Sequence, residues 1–234
     1  MKRYPISLKQ WRLLQEDNLD EMLPTYLSIF KDILEAVQII HNNNTTHYDL
    51  KCDNIVLDFD PNDISNYKNN NNEYDNEKKN NNKNIFKNIT NSNYDNLSLN
   101  LSSNSICIRV ADFGECKIFL NEKDEYCTRS RGTDVIKSPE MLHHFGPIRK
   151  EDDNFDRRKK IGTTRASDIW SLGCLFYELL TGKFLFEEIQ DDYMGFIAKI
   201  DNSNNINDLL TNDKLSLINN NPYLVDFLKF MLIK

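Results

Sequence analysis

The stretch from Asp168 to Thr181 (DIWSLGCLFYELLT) constrains the fold more than any other part of the chain. It reads as a helix that is apolar nearly all round and is stopped by Gly182, so none of its faces can be given to water. Such a helix is stable only at the centre of a bundle. The chain must therefore supply covering helices, and three segments qualify. Leu27, Phe30, Ile33, Leu34, Val37, Ile40 and His41 recur at helical spacing over about Thr25 to His41, while Phe186 to Ile200 and Pro222 to Ile233 are amphipathic and joined by polar loops. The most apolar run, Ile169 to Phe186, carries Glu178 and Lys183 and reads as a buried helix of a soluble domain, not as a membrane span.

Two β-like runs, Ile55 to Asp58 and Ile106 to Ala111, flank a tract in which 17 of the 44 residues from Pro61 to Asn104 are asparagine. A segment of that composition buries too little apolar surface to offset its chain entropy, so it is expected to be a disordered insertion (61–104) in the turn of a hairpin. Closure entropy grows only logarithmically with loop length, which makes such an insertion tolerable. A second irregular insertion is expected over 143–165. The 234 residues then amount to one mainly α domain, a helical bundle with a short β-hairpin.

A net charge of -7 argues against a general nucleic-acid or membrane-surface role, since both require a concentrated basic face. Arg157, Arg158, Lys159 and Lys160 form one basic run, which reads as a solvated loop. Cys52, Cys107, Cys116, Cys127 and Cys174 are odd in number and never spaced as a CxxC pair, so neither a disulfide framework nor a zinc site is indicated. Met1 to Pro24 has charges throughout and no apolar signal core. An intracellular, cytoplasmic setting is expected.

The chemistry concentrates in His47-Tyr48-Asp49-Leu50-Lys51-Cys52-Asp53-Asn54, between the first long helix and the first β run. One loop there holds an acid, a cation two residues on and an amide five residues on. Phosphoryl transfer needs a carboxylate to orient the attacking hydroxyl, a positive charge near the moving group and oxygen ligands for magnesium. Asp112-Phe113-Gly114 follows the second β run, so the hairpin would return a second carboxylate beside Asn54, where the two could chelate magnesium on a triphosphate. Gly132-Thr133, Ser138-Pro139-Glu140 and Asp168-Ile169-Trp170-Ser171-Leu172-Gly173 follow in order.

Taken in that order, these motifs resemble the eukaryotic-type serine/threonine protein kinase family, from the hinge region to the helix before the last. The resemblance implies a kinase-like C-terminal lobe that uses ATP and Mg2+ to phosphorylate Ser/Thr hydroxyls of a protein substrate. It also implies roles. Asp49 matches the catalytic base, Lys51 the phosphate-contacting lysine, Asn54 and Asp112 the metal ligands, and Val56 the floor of the adenine site. Thr133 matches the threonine that bridges the catalytic Asp and Lys, His47 and Phe113 two spine residues, and Asp168 the anchor of the catalytic loop. Met1 to Tyr4 resembles the hinge, with Ser7-Leu8-Lys9-Gln10-Trp11 opening the next helix.

Three departures from the family stand out. Tyr48 occupies the place of an arginine that pairs with a phosphate on the activation segment, so phosphorylation of Thr128 or Ser130 is not expected to switch the chain by that pairing. No glycine precedes Gly114 in these 234 residues, which show no glycine-rich phosphate loop, strand lysine or partner glutamate; the small lobe is expected to be missing from this chain, and the isolated chain to be nearly inactive. Glu140 pairs in the family with a later arginine, but no arginine follows Arg165, so an unpaired buried carboxylate is expected. These departures suggest a fragment of a kinase. A pseudokinase-like scaffold is the alternative, and an Asn-rich interaction protein a third reading.

Overall fold

A computed structural model of the chain describes residues 6–15, 18–59, 106–120, 131–142, 164–202 and 206–233. The expected insertion at 61–104, all but Thr164 and Arg165 of the one expected over 143–165, the hinge match at Met1 to Tyr4, the basic run from Arg157 to Lys160, and Cys127, Thr128 and Ser130 lie outside the described residues.

The expected central helix is α4 (Ala166–Thr181), and every residue from Ser167 to Leu180 except Ile169 is buried in it. It ends as the sequence requires. Gly182 turns into the left-handed region at φ 73°, donating its N–H to the Glu178 carbonyl at 2.7 Å. Arg12, in the short helix α1 (Leu8–Arg12), reaches the same end: its Nε and Nη2 donate to the Leu179 and Leu180 carbonyls at 2.8 and 3.1 Å. Ser7 opens α1 with a reciprocal cap, its Oγ accepting from the Gln10 amide while the Gln10 side chain accepts from the Ser7 amide.

Helix α2 (Leu19–Asn42) starts earlier than the apolar spacing predicts. Asn18 caps it and Asp20 and Glu21 fill its first turn, so the helix runs through Pro24 despite the missing N–H. Its buried face (Tyr26, Ile29, Phe30, Ile33, Val37) packs on α4, with Phe30 and Phe176 ring centroids 4.5 Å apart.

Phe186 to Ile200, expected as one helix, is two pieces. A 3-10 turn (Glu187–Gln190) precedes α5 (Tyr193–Asn202), because Phe186 is drawn into a stack on Trp170 at 5.7 Å and Asp192 caps the new start through the Gly195 amide at 2.8 Å. The short helix α3 (Pro139–Leu142) comes earlier in the chain and α6 (Asn212–Ser216) follows α5; α7 (Pro222–Met231) then closes over Gly173, where an added Cβ would meet Leu232 at 3.0 Å.

The hairpin is present as β3 (Ile55–Phe59) and β4 (Ile106–Val110), antiparallel with Ile55 opposite Val110. Sequence patterning missed three two-residue strands: β1 (Ile6–Ser7), which adds to β3, and β2 (Thr45–Thr46), which pairs with β5 (Lys117–Ile118). Two residues carry no periodicity to read. Among the described residues, no helix is long and apolar enough to cross a membrane.

Candidate active site

The site is built outward from the first turn of α4. Asp168 is fully buried there, and its carboxylate accepts the backbone N–H groups of His47 through Oδ2 and of Tyr48 through Oδ1, each at 2.8 Å. A negative charge is favoured at this helix end by the macrodipole. The two bonds bend the loop after β2 so sharply that Tyr48 sits at φ 65°, a conformation that costs a bulky residue about 1–3 kcal/mol and persists only when its surroundings enforce it. Gly132 rests against this bend at φ 78°, and a Cβ on it would come within 2.0 Å of the Tyr48 carbonyl oxygen. His47 turns inward, its Nε2 within 3.0 Å of the Ala111 carbonyl and its ring edge-on to Phe113 at 4.9 Å. The two residues matched to spine positions thus do meet.

Immediately after the bend, Asp49 is surrounded by donors. Its Oδ1 accepts from the Thr133 amide at 3.0 Å and the Thr133 hydroxyl at 2.7 Å; its Oδ2 accepts from Asn54 Nδ2 at 2.8 Å and Lys51 Nζ at 3.1 Å. Lys51 Nζ also donates to Thr133 Oγ1 at 2.6 Å, closing a triangle of Asp49, Lys51 and Thr133. Burial alone would raise the Asp49 pKa, but the hydrogen bonds from Thr133, Lys51 and Asn54 and the nearby ammonium outweigh it and hold the carboxyl below its ordinary range. Asp49 is therefore an ionised, acceptor-only group with both oxygens fixed.

Asn54 donates its Nδ2 to both the backbone carbonyl and the carboxylate of Asp49, each at 2.8 Å. That orientation leaves its Oδ1 with no donor among the described residues. Its backbone carbonyl takes the Ala111 amide at 2.8 Å, which ties the residue before Asp112 to the loop. Asp112 takes a left-handed turn at φ 59°, and its Oδ1 accepts from the Gly114 amide at 3.3 Å. An amide oxygen and a carboxylate are hard donors of the kind magnesium takes. Among the described residues no three His, Cys, Asp or Glu side chains gather to hold a metal, so this pair suits an ion whose shell is completed by phosphate and water oxygens. Val56 lies in β3 between Ser7 of β1 and Arg109 of β4, half-buried.

Three details were out of reach of the sequence. Tyr48 does not present its ring to solvent: it is buried with Phe119 and Met141 in a small apolar cluster. Arg131 donates to the Glu115 and Cys116 carbonyls at 2.7 and 3.1 Å, joining the turn after Asp112 to the segment that brings Thr133 to Asp49. Glu140 corrects an expectation, because it is only half-buried and its Oε1 accepts from Ser167 Oγ at 2.7 Å, a hydroxyl at the start of α4. No pattern in the sequence marks Phe119 or Arg131, since their partners are carbonyls and rings brought in by the fold.

The chain matches the family model described as Protein kinase domain over residues 12–234. A "Probable serine/threonine-protein kinase" of Dictyostelium discoideum is 37% identical over 234 residues, covering 100% of this chain and 8% of that protein. A second from that organism, fhkD, is 29% identical over 196 residues, 82% of this chain and 18% of its own length. Among solved structures, the yeast RNA Pol II CTD kinase CTDK-1 complex matches at 17% identity and TM-score 0.45, over 80% of this chain and 40% of that one. The chain thus spans 8% and 18% of the length of the two curated relatives it matches. With the family model running from α1 to the last residue, the chain belongs to the eukaryotic-type serine/threonine protein kinase family.

Proposed function

We propose that this chain carries the catalytic floor of an ATP-dependent serine/threonine protein kinase, which moves the γ-phosphoryl group of ATP to Ser/Thr hydroxyls of protein substrates. The observation that carries the reading is the Asp49 carboxylate, ionised and held at both oxygens by Thr133, Lys51 and Asn54. Asp49 orients the incoming hydroxyl and accepts its proton as the oxygen bonds to the γ-phosphorus. The bond from that phosphorus to the β–γ bridging oxygen breaks, and the electron pair leaves with ADP. Lys51 offsets charge on the moving group and Thr133 keeps Lys51 and Asp49 in register. Asn54 Oδ1 and the Asp112 carboxylate would hold Mg2+, which when bound neutralises phosphate charge. Val56 underlies the adenine.

Water reaches the site from one side, since Asp112, Phe113 and Gly114 are all exposed, and solvent weakens each electrostatic contribution. The 234 residues alone therefore transfer phosphate slowly or not at all. The same openness favours a second reading, a binding module that does not turn over. A cytoplasmic setting fits the four described cysteines, all of them free thiols.

The test is transfer of labelled γ-phosphate to Ser/Thr peptides by the full-length protein. Asp49→Ala is expected to lower turnover about 10²–10⁴-fold, the usual worth of a positioned acid–base group. Wild-type turnover in that variant would defeat the assignment, and Mg2+-dependent ATP binding without any transfer by the unmodified protein would favour the binding module.

A further inference from the structure

We infer that Arg131 is a positioning residue for the candidate site, a clamp that sets the Asp112 turn against Asp49 by way of backbone carbonyls. Its Nη1 donates to the Glu115 carbonyl at 2.7 Å and to the Cys116 carbonyl at 3.1 Å, and these are the two residues that follow Gly114 out of the turn. Because one nitrogen serves two successive carbonyls, the bonds fix the direction in which the chain leaves. On its own side Arg131 is followed by Gly132, laid against the Tyr48 carbonyl at φ 78°, and by Thr133, whose amide and hydroxyl hold Asp49 Oδ1 at 3.0 and 2.7 Å. The half-buried guanidinium therefore joins the segment that fixes one carboxylate to the turn that carries the other.

The turn is held firmly on its entry side and lightly on its exit side. Before Asp112, the Ala111 amide donates to the Asn54 carbonyl at 2.8 Å and the Ala111 carbonyl lies 3.0 Å from His47 Nε2. Beyond Gly114, the backbone itself supplies one 3-10 bond, from the Cys116 amide to the Phe113 carbonyl at 3.2 Å, and the two-residue ladder of β5 with β2. Asp112 meanwhile sits at φ 59°, a backbone state that persists only while its flanks enforce it. A guanidinium suits the missing restraint, since hydrogen bonds from a charged donor are roughly twice as strong as neutral ones. Its charge also stays on across the range in which proteins work. Released from Arg131, the turn and the Thr133 segment would drift independently, and Asp112 would lose its register with Asp49.

The test compares three substitutions in the full-length protein. Arg131→Ala removes stem and donors, Arg131→Met keeps an apolar stem without a donor, and Arg131→Lys supplies an ammonium that can serve both carbonyls. Hydrogen exchange followed by mass spectrometry is expected to quicken about tenfold or more over 112–118 and 131–134 in the Ala and Met variants, and to stay within about threefold of wild type in the Lys variant. Over 46–48, which Asp168 holds, it is expected to stay unchanged in all three. The link to turnover rests on the kinase reading: kcat falls about tenfold or more in the Ala and Met variants, the Mg2+ concentration giving half the maximal rate rises, and Lys recovers most of the loss. The ratio of variant to wild-type kcat is the same from about pH 6 to about pH 9, because the clamp does not titrate there. Unchanged exchange over 112–118 in Arg131→Ala would overturn the inference, as would a Met variant equal to wild type or a Lys variant no better than Ala. Quickening that spreads equally to 46–48 would overturn it too, since Arg131 would then serve the fold at large, and so would quickened exchange with unaltered kcat. A wild-type protein that transfers no phosphate would reject the kinase reading alone, because exchange is read without ATP.

Discussion

The two residues proposed to hold the metal, Asn54 and Asp112, come from neighbouring strand ends, yet they live in opposite surroundings. Asn54 lies on the side of the site that faces α4, where His47, Asp49 and Asp168 are also buried, and its amide nitrogen is committed to Asp49. Asp112 lies on the other side with exposed Phe113 and Gly114, and its side chain is held by one backbone amide. The difference teaches that the surroundings of Asp49 are specified by the helical bundle itself. Those of Asp112 are specified only by the backbone turn after β4.

Four substitutions can break or sharpen that contrast. Asp168→Ala should do the most damage, about 3–5 kcal/mol of stability by denaturant unfolding, because it strands two buried N–H groups and the His41 imidazole, whose Nε2 lies 2.8 Å from the carboxylate. Gly132→Ala should follow at about 3 kcal/mol, since the new methyl would meet the Tyr48 carbonyl in a backbone conformation that alanine resists. Asp49→Asn should act more mildly and with pH. A carboxyl whose pKa is lower folded than unfolded stabilises the fold above the unfolded value and loses that contribution as pH falls through the folded one. The melting temperature of wild type should therefore exceed that of Asp49→Asn at neutral pH, with the gap closing below about pH 4. Asp112→Asn should change stability by less than about 0.5 kcal/mol while abolishing Mg2+-dependent nucleotide binding, measured by calorimetry. A cost as large as that of Asp168→Ala would erase the distinction between the two sides.

The same contrast explains what could be read from the sequence. The central helix, the hairpin and the loop from His47 to Asn54 were legible because each depends on local pattern: an all-round apolar run, two β runs, an acid, a cation and an amide at short spacing. Thr133 became legible only by resemblance, since nothing local says that it will meet Asp49 across 84 positions. The Ser167 partner of Glu140 was hidden because a lone serine carries no signal, and the early start of α2 because Pro24 argues locally for a break that the cap at Asn18 and the packing of Tyr26 and Ile29 override.

Arg12 bears on the site from a distance. By gripping the last carbonyls of α4 while Asp168 grips the catalytic loop at the other end, it makes α4 a strut pinned at both tips, about 24 Å long at 1.5 Å per residue. One helix thus carries the attachment of α1 at its C-terminal end and that of the loop before Asp49 at its N-terminal end.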